Sequence, residues 1–134
     1  MRLVVWLWVA PVTVVGLLLA VLARLSGGTV RWHTGVVESC GGMLAWLLAR
    51  RLPFSGSVAA MTLGHVVIAA SPQALAETRA HERVHVRQFE RFGVAFLAAY
   101  PLASLWAWLD GGDPYLDNVF EREARALAAR PCQG

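Results

Sequence analysis

From Leu3 to Ala23 the chain reads LVVWLWVAPVTVVGLLLAVLA, 21 consecutive residues without a charge. A helix crossing the hydrocarbon core of a bilayer needs about 20 such residues, each advancing roughly 1.5 Å. The run predicts an N-terminal transmembrane helix. Pro11 and Gly16 are tolerable in it because lipid offers the backbone no competing partner, and Trp6 and Trp8 stand near one end, where interfacial aromatics collect. The rival reading is a cleavable signal peptide, with Arg2 as its charged start and Val21-Leu22-Ala23 as a poor cleavage site. The run is long for the apolar stretch of such a peptide, so an uncleaved anchor (or signal-anchor) over residues 1–26 is expected. Arg24, Arg31, Arg50 and Arg51 outnumber Arg2 plus the amino terminus. That excess favours a single-pass chain with residues 27–134 on the cytoplasmic side.

The rest has room for one domain with one core. Hydrophobic residues make up 57% of the 134 residues and charged residues 16%, against roughly 45–50% and about 25% in soluble proteins. Part of the excess must face lipid or a partner. All twelve basic residues are arginines. Arg79, Arg83, Arg87 and Arg91 fall in one helical pattern and the others are scattered, so no continuous basic stripe marks nucleic acid as a partner. Cys40 and Cys132 form no disulfide framework and lack metal-ligand spacing.

Along the chain, Thr29 to Glu38 predicts one or two short strands, Gly41 to Leu52 a short helix, and Pro53 to Ser57 a turn. Met61 to Ala69 reads as a single strand. Ser71-Pro72 is a strong helix start, with Ser as N-cap and Pro at the first helical position; the helix should run to about Phe92 and stop at Gly93. Val94 to Leu109 carries no charge and reads as a second apolar helix with a kink at Pro101, either buried or partly inserted in the membrane. Tyr115 to Ala129 completes an α+β chain with a final helix.

Within the 71–93 helix stands His81-Glu82-Arg83-Val84-His85, an H-E-x-x-H pattern. Residues four apart share one face about a turn apart, so both imidazoles can reach one metal ion. Glu82 then projects beside the ion, where a carboxylate can take a proton from an attacking water and return it to a leaving amine. A catalytic zinc usually has three protein ligands and an open position. The last helix offers Glu121, 36 positions after His85, and Glu123. These are two apart and point to different faces, so only one can ligate.

HERVH followed by Phe120-Glu121-Arg122-Glu123-Ala124 resembles the gluzincin metallopeptidases, in particular the HtpX-like and CAAX-prenyl endopeptidase families and the single-domain minigluzincins. The resemblance covers roughly residues 58–129. It implies a small zincin-like domain: a short sheet, an active-site helix with His81 and His85 as zinc ligands and Glu82 as general base, and a C-terminal helix whose Glu121, after an aromatic residue, is the third ligand. Glu123 is the fallback. Arg125 stands where such a segment usually closes with Asp, and Arg83 and Arg87 occupy positions more often uncharged. The resemblance also implies that an extended peptide substrate lies antiparallel along the Met61–Ala69 strand. Tyr115, Tyr100 or His65 could stabilise the oxyanion, His65 could instead carry no role, and Asn118 could orient Glu121 or simply cap the last helix.

The expected activity is zinc-dependent endopeptidase action on peptide segments near a membrane. The alternative is a membrane-anchored interaction protein whose zinc site is structural or vestigial.

Overall fold

Residues 2–49 and 59–130 are described from a computed structural model of the chain. Helix α1 (Arg2–Leu25) is followed by strands β1 (Thr29–His33) and β2 (Val36–Cys40) and helix α2 (Met43–Ala49). Strands β3 (Ala60–Leu63) and β4 (Val66–Ala69) lead to helix α3 (Pro72–Phe92), and after a 3₁₀ turn at Gly93–Ala95 come α4 (Phe96–Leu109) and α5 (Val119–Ala128). The strands form one sheet in the order β1-β2-β4-β3, with β2 and β4 parallel and the outer pairs antiparallel.

The period of two along a strand decides which side chains meet which helix. Val36 and Cys40 of β2, Ala60 of β3 and Val67 and Ala69 of β4 pack with Leu75 and Val86 of α3. Val66 and Ile68, on the opposite face of β4, pack with Ala20 and Ala23 of α1 and Leu44 and Leu48 of α2. The sheet is therefore a middle layer between α1 with α2 and α3. Each fully buried aliphatic side chain stabilises this arrangement by about 1.5–3 kcal/mol.

The segment 29–40 folds as two strands. Thr34 (φ 43°) and Gly35 (φ 80°) supply the two left-handed residues that a tight hairpin of this kind requires. The single strand expected over Met61–Ala69 is not formed. Gly64, at φ 63°, opens a two-residue turn with His65, and Leu63 pairs with Val66 across it. Apolar residues on both sides of Gly64 hide this break from a periodicity argument.

Helix α3 begins and ends as its sequence indicates: the Ser71 hydroxyl accepts from Ala74 N–H, and Gly93 caps the carboxyl end. The helix expected over 41–52 starts at Met43 and is described to Ala49; residues 50–52 and the Pro53–Ser57 turn lie outside the described residues. Pro101 lies inside α4 without ending it. The last helix starts at Val119 rather than Tyr115, because the Asp113 carboxylate accepts from the backbone of Tyr115 and Leu116 and holds them in a turn. Asn118 then caps α5, accepting from Phe120 N–H.

The residues of α1 that face the protein are mostly small, whereas those that face outward are large. Val9, Val12, Thr13, Gly16, Ala20 and Ala23 are buried, while Leu3, Val4, Leu7, Leu18, Val21 and Leu22 are exposed. A Cβ at Gly16 would lie 2.7 Å from Val66 Cβ, so glycine permits the helix to lie on the hairpin. Thr13 Oγ1 accepts from His65 N–H at 3.2 Å, a second tie between α1 and that turn. Helix α4 likewise exposes Leu97, Leu102, Leu105, Trp106, Trp108 and Leu109. Two helical stretches, Arg2–Leu25 and Pro72–Leu109, are long and apolar enough to cross a membrane by length and composition. The first half of the second stretch, α3, is studded with charge from Glu77 to Arg91.

Candidate metal centre

His81 and His85 present their Nε2 atoms 3.2 Å apart on one face of α3. Glu121, from the first turn of α5, reaches both: Oε2 lies 2.8 Å from His81 Nε2 and Oε1 lies 3.2 Å from His85 Nε2. One ligand atom from each residue falls within 4.8 Å of the others. Donors about 2.0–2.2 Å from a tetrahedral zinc stand about 3.4 Å from one another, so the three need only small adjustments to close around a divalent cation. The charge also fits. Glu82 and Glu121 are 5% and 3% exposed, and two buried carboxylates beside two imidazoles call for a compensating cation.

Gln88 determines which His85 nitrogen is free. Its amide nitrogen donates to Phe120 O (3.1 Å) and Glu123 Oε2 (2.7 Å). The amide oxygen must therefore accept, and it lies 2.7 Å from His85 Nδ1. This network places a proton on His85 Nδ1 and leaves Nε2 as the nitrogen that faces Glu121 and His81. Glu123, the fallback ligand, is thereby engaged with Gln88, with Arg91 at 3.6 Å on its other side. It is not part of the converging set.

Glu82 lies beside the triad. Thr62, on the α3-facing side of β3, donates its hydroxyl to Glu82 Oε2 at 2.6 Å. Burial raises the Glu82 carboxyl above its ordinary value, and this outweighs the lowering by His85, Thr62 and His81. Burial also acts to raise Glu121, but hydrogen bonds from His81 and His85 win and hold it well below the usual carboxylate range. His85 is raised, because the Glu121 contact outweighs burial.

These groups line a cleft of about 240 Å³ bounded by Ala60 and Thr62 of β3, by α3, and by Tyr100, Pro101 and Tyr115. The Tyr100 hydroxyl donates to Glu121 Oε1 at 2.5 Å. Burial, with Glu121 nearby, pushes the Tyr115 hydroxyl up to about 12, which keeps it a proton donor at neutral pH.

Of the other residues singled out from the sequence, Asn118 is a cap. Besides accepting from Phe120 N–H, its amide donates to Ser104 Oγ and Tyr100 O, and so ties α5 to α4. His65 is not at this site: it lies 2% exposed against Trp6 and bonds Glu90. The hairpin turn at Gly64 carries it away from the cleft. Arg83 projects to the far side of α3, where it binds Glu38 and the His33 and Thr34 carbonyls, so its charge leaves the triad alone. Arg125 donates to Leu116 O and braces the turn before α5. Cys40 is a buried free thiol, and Cys132 lies outside the described residues.

Sequence reasoning missed Gln88 and Thr62. Each had a signal: Gln88 follows His85 by three, a spacing that shares a helix face, and Thr62 is the polar residue in an apolar strand. No family model, curated protein or solved structure matches the chain.

Proposed function

We propose that the chain is a membrane-associated, zinc-dependent endopeptidase of a minimal zincin-like type, with His81, His85 and Glu121 as metal ligands and Glu82 as general base. The observation that carries this reading is the convergence of two imidazoles and one carboxylate, from segments 36 positions apart, beside a second buried carboxylate in a cleft.

Zinc, when bound, would act as a Lewis acid that makes water a nucleophile at neutral pH and polarises a peptide carbonyl. The raised Glu82 carboxyl suits a base that accepts the water's proton and returns it to the leaving amine. Thr62 holds one Glu82 oxygen, which turns the other toward the cleft. Tyr115, a hydroxyl donor lining the cleft, is placed to stabilise developing oxyanion charge. Strand β3 is an edge of the sheet and borders the same cleft. An extended peptide can add antiparallel to it and bring a scissile bond to the triad.

Membrane association is supported by the inverted arrangement of α1, small residues inward and large apolar ones outward. A water-facing surface of that size would be strongly unfavourable, whereas lipid accepts it.

The test is metal analysis of purified protein together with cleavage of an unfolded protein substrate. Stoichiometric zinc is expected in the wild type and in Glu82→Gln, loss of zinc in His81→Ala, and cleavage only in the wild type. Absence of zinc from the wild type ends the metal reading. Zinc bound without any cleavage favours the alternative, an interaction protein with a structural zinc site.

A further inference from the structure

On the side of α3 opposite the triad, a second and larger concavity of about 910 Å³ opens between that helix, the amino-terminal end of α1 and the β1–β2 turn. Residues 79, 83, 87 and 90 lie about 160–240° around the helix from His81, at about 100° per residue. The two sites therefore share no lining residue. Four guanidinium groups, those of Arg2, Arg79, Arg83 and Arg87, line this groove, and Glu90 is its only lining carboxylate among the described residues.

The arginines are not equally engaged. Glu38, buried at 4% exposure, accepts from Arg79 at 2.9 and 3.0 Å and lies 3.4 Å from Arg83, so one carboxylate serves two guanidiniums. Glu90 is taken by His65 Nε2 at 3.0 Å. Arg2 and Arg87 have no polar partner among the described residues, and both are exposed at the groove. Against Glu38 and Glu90 the four arginines leave two positive charges in excess. His65 also stands in the wall of this groove. Trp6 stacks on the His65 ring at 4.1 Å, so the aromatic end of α1 forms part of the same wall.

We propose that this groove binds a phosphate-bearing anion, gripped by Arg87 and Arg2. Guanidinium forks match phosphate oxygens in geometry, and the arginines already fixed by Glu38 add a field without needing to move. Two sources present this chemistry: the headgroup of an anionic phospholipid, which would sit beside the apolar start of α1, and a soluble phosphate. The site does not depend on the metal centre, and the inference stands or falls separately from the peptidase reading.

The experiment uses the full chain in neutral detergent. Calorimetric titration with inorganic phosphate and pyrophosphate forms one arm. The other compares binding to lipid nanodiscs of phosphatidylglycerol and of phosphatidylcholine. Binding in either arm is expected, and the arm that responds names the source. Arg87→Gln should weaken it roughly tenfold, the effect of losing one charge-assisted contact, while Arg122→Gln, which removes an equal charge from exposed α5, should leave it unchanged. Failure to bind both phosphates, combined with equal binding to the two lipids, overturns the proposal. So does an equal loss in Arg87→Gln and Arg122→Gln, which would mean bulk charge and no site.

Discussion

Replacing Gln88 with leucine tests whether the metal centre is held by its surroundings or is an accident of helical spacing. Gln88 is 1% exposed and makes three contacts: with His85 Nδ1, Phe120 O and Glu123. Leucine fills nearly the same space, so the change removes hydrogen bonds more than volume. It strands the His85 Nδ1–H, and a buried unpaired donor costs about 1–3 kcal/mol. The metal-free protein should therefore lose about 1–3 kcal/mol of stability, partly offset by the more apolar side chain. Metal binding should suffer in addition, because an imidazole free to rotate or change tautomer is a poorer ligand. Losing such a partner typically lowers affinity 10–100-fold, or about 1.4–2.7 kcal/mol. Chelator competition gives the zinc affinity, and thermal melting with and without zinc separates the two losses. Gln88→Glu keeps an acceptor for His85 but sets a carboxylate against Glu123, so it should retain more zinc affinity than leucine while still destabilising the fold. If Gln88→Leu melts lower yet binds zinc as tightly as the wild type, Gln88 is structural glue only and the tautomer argument is wrong.

Thr62→Val removes the hydroxyl that stabilises the charged form of Glu82; its carboxyl rises further, and the acid limb of the pH profile for cleavage should move to higher pH, a result that an unmoved limb refutes. Glu38 is held below its ordinary value: burial pushes it up, but Arg79, His33 and Arg83 outweigh this. A depressed folded-state carboxyl contributes stability that is present above its unfolded value and lost as pH falls through the folded one. Thermal melts should therefore decline on acidification below the usual glutamate range, and Arg79→Gln should shrink that decline. Gly16→Val forces a side chain to within 2.7 Å of Val66 Cβ and should cost about 1–3 kcal/mol by overpacking. Val15→Ala, one residue away on the outward face at 51% exposure, should change stability in detergent by no more than about 0.5 kcal/mol. Equal effects at the two positions would mean that α1 does not pack on the sheet.

Much of the centre was legible in the order of residues. The i, i+4 histidines need only a helix to share a face, and Ser71-Pro72 and Gly93 bound that helix by local chemistry alone. The 21 uncharged residues near the start likewise specify an apolar helix whatever follows. Strand pairing was less readable. The turn at Gly64-His65 splits a largely apolar segment, and one glycine φ decides between a single strand and a hairpin. That hairpin in turn removes His65 from the metal site.

What the sequence by itself determined is therefore local: periodicity, caps, and the pairing of His81 with His85. Spacing alone left Glu121 and Glu123 open and only a resemblance favoured Glu121; two residues so placed on one helix differ by about 200° in direction, and the packing of α5 against α3 brings Glu121 to the imidazoles. Only the tertiary structure decided that Thr62 meets Glu82, that Gln88 orients His85, and that α1 lies with its small residues on the sheet. Those contacts join residues 3 to 52 positions apart. Covalent spacing constrains a turn of helix tightly, but over dozens of residues it leaves direction open until the layers of the fold close on one another.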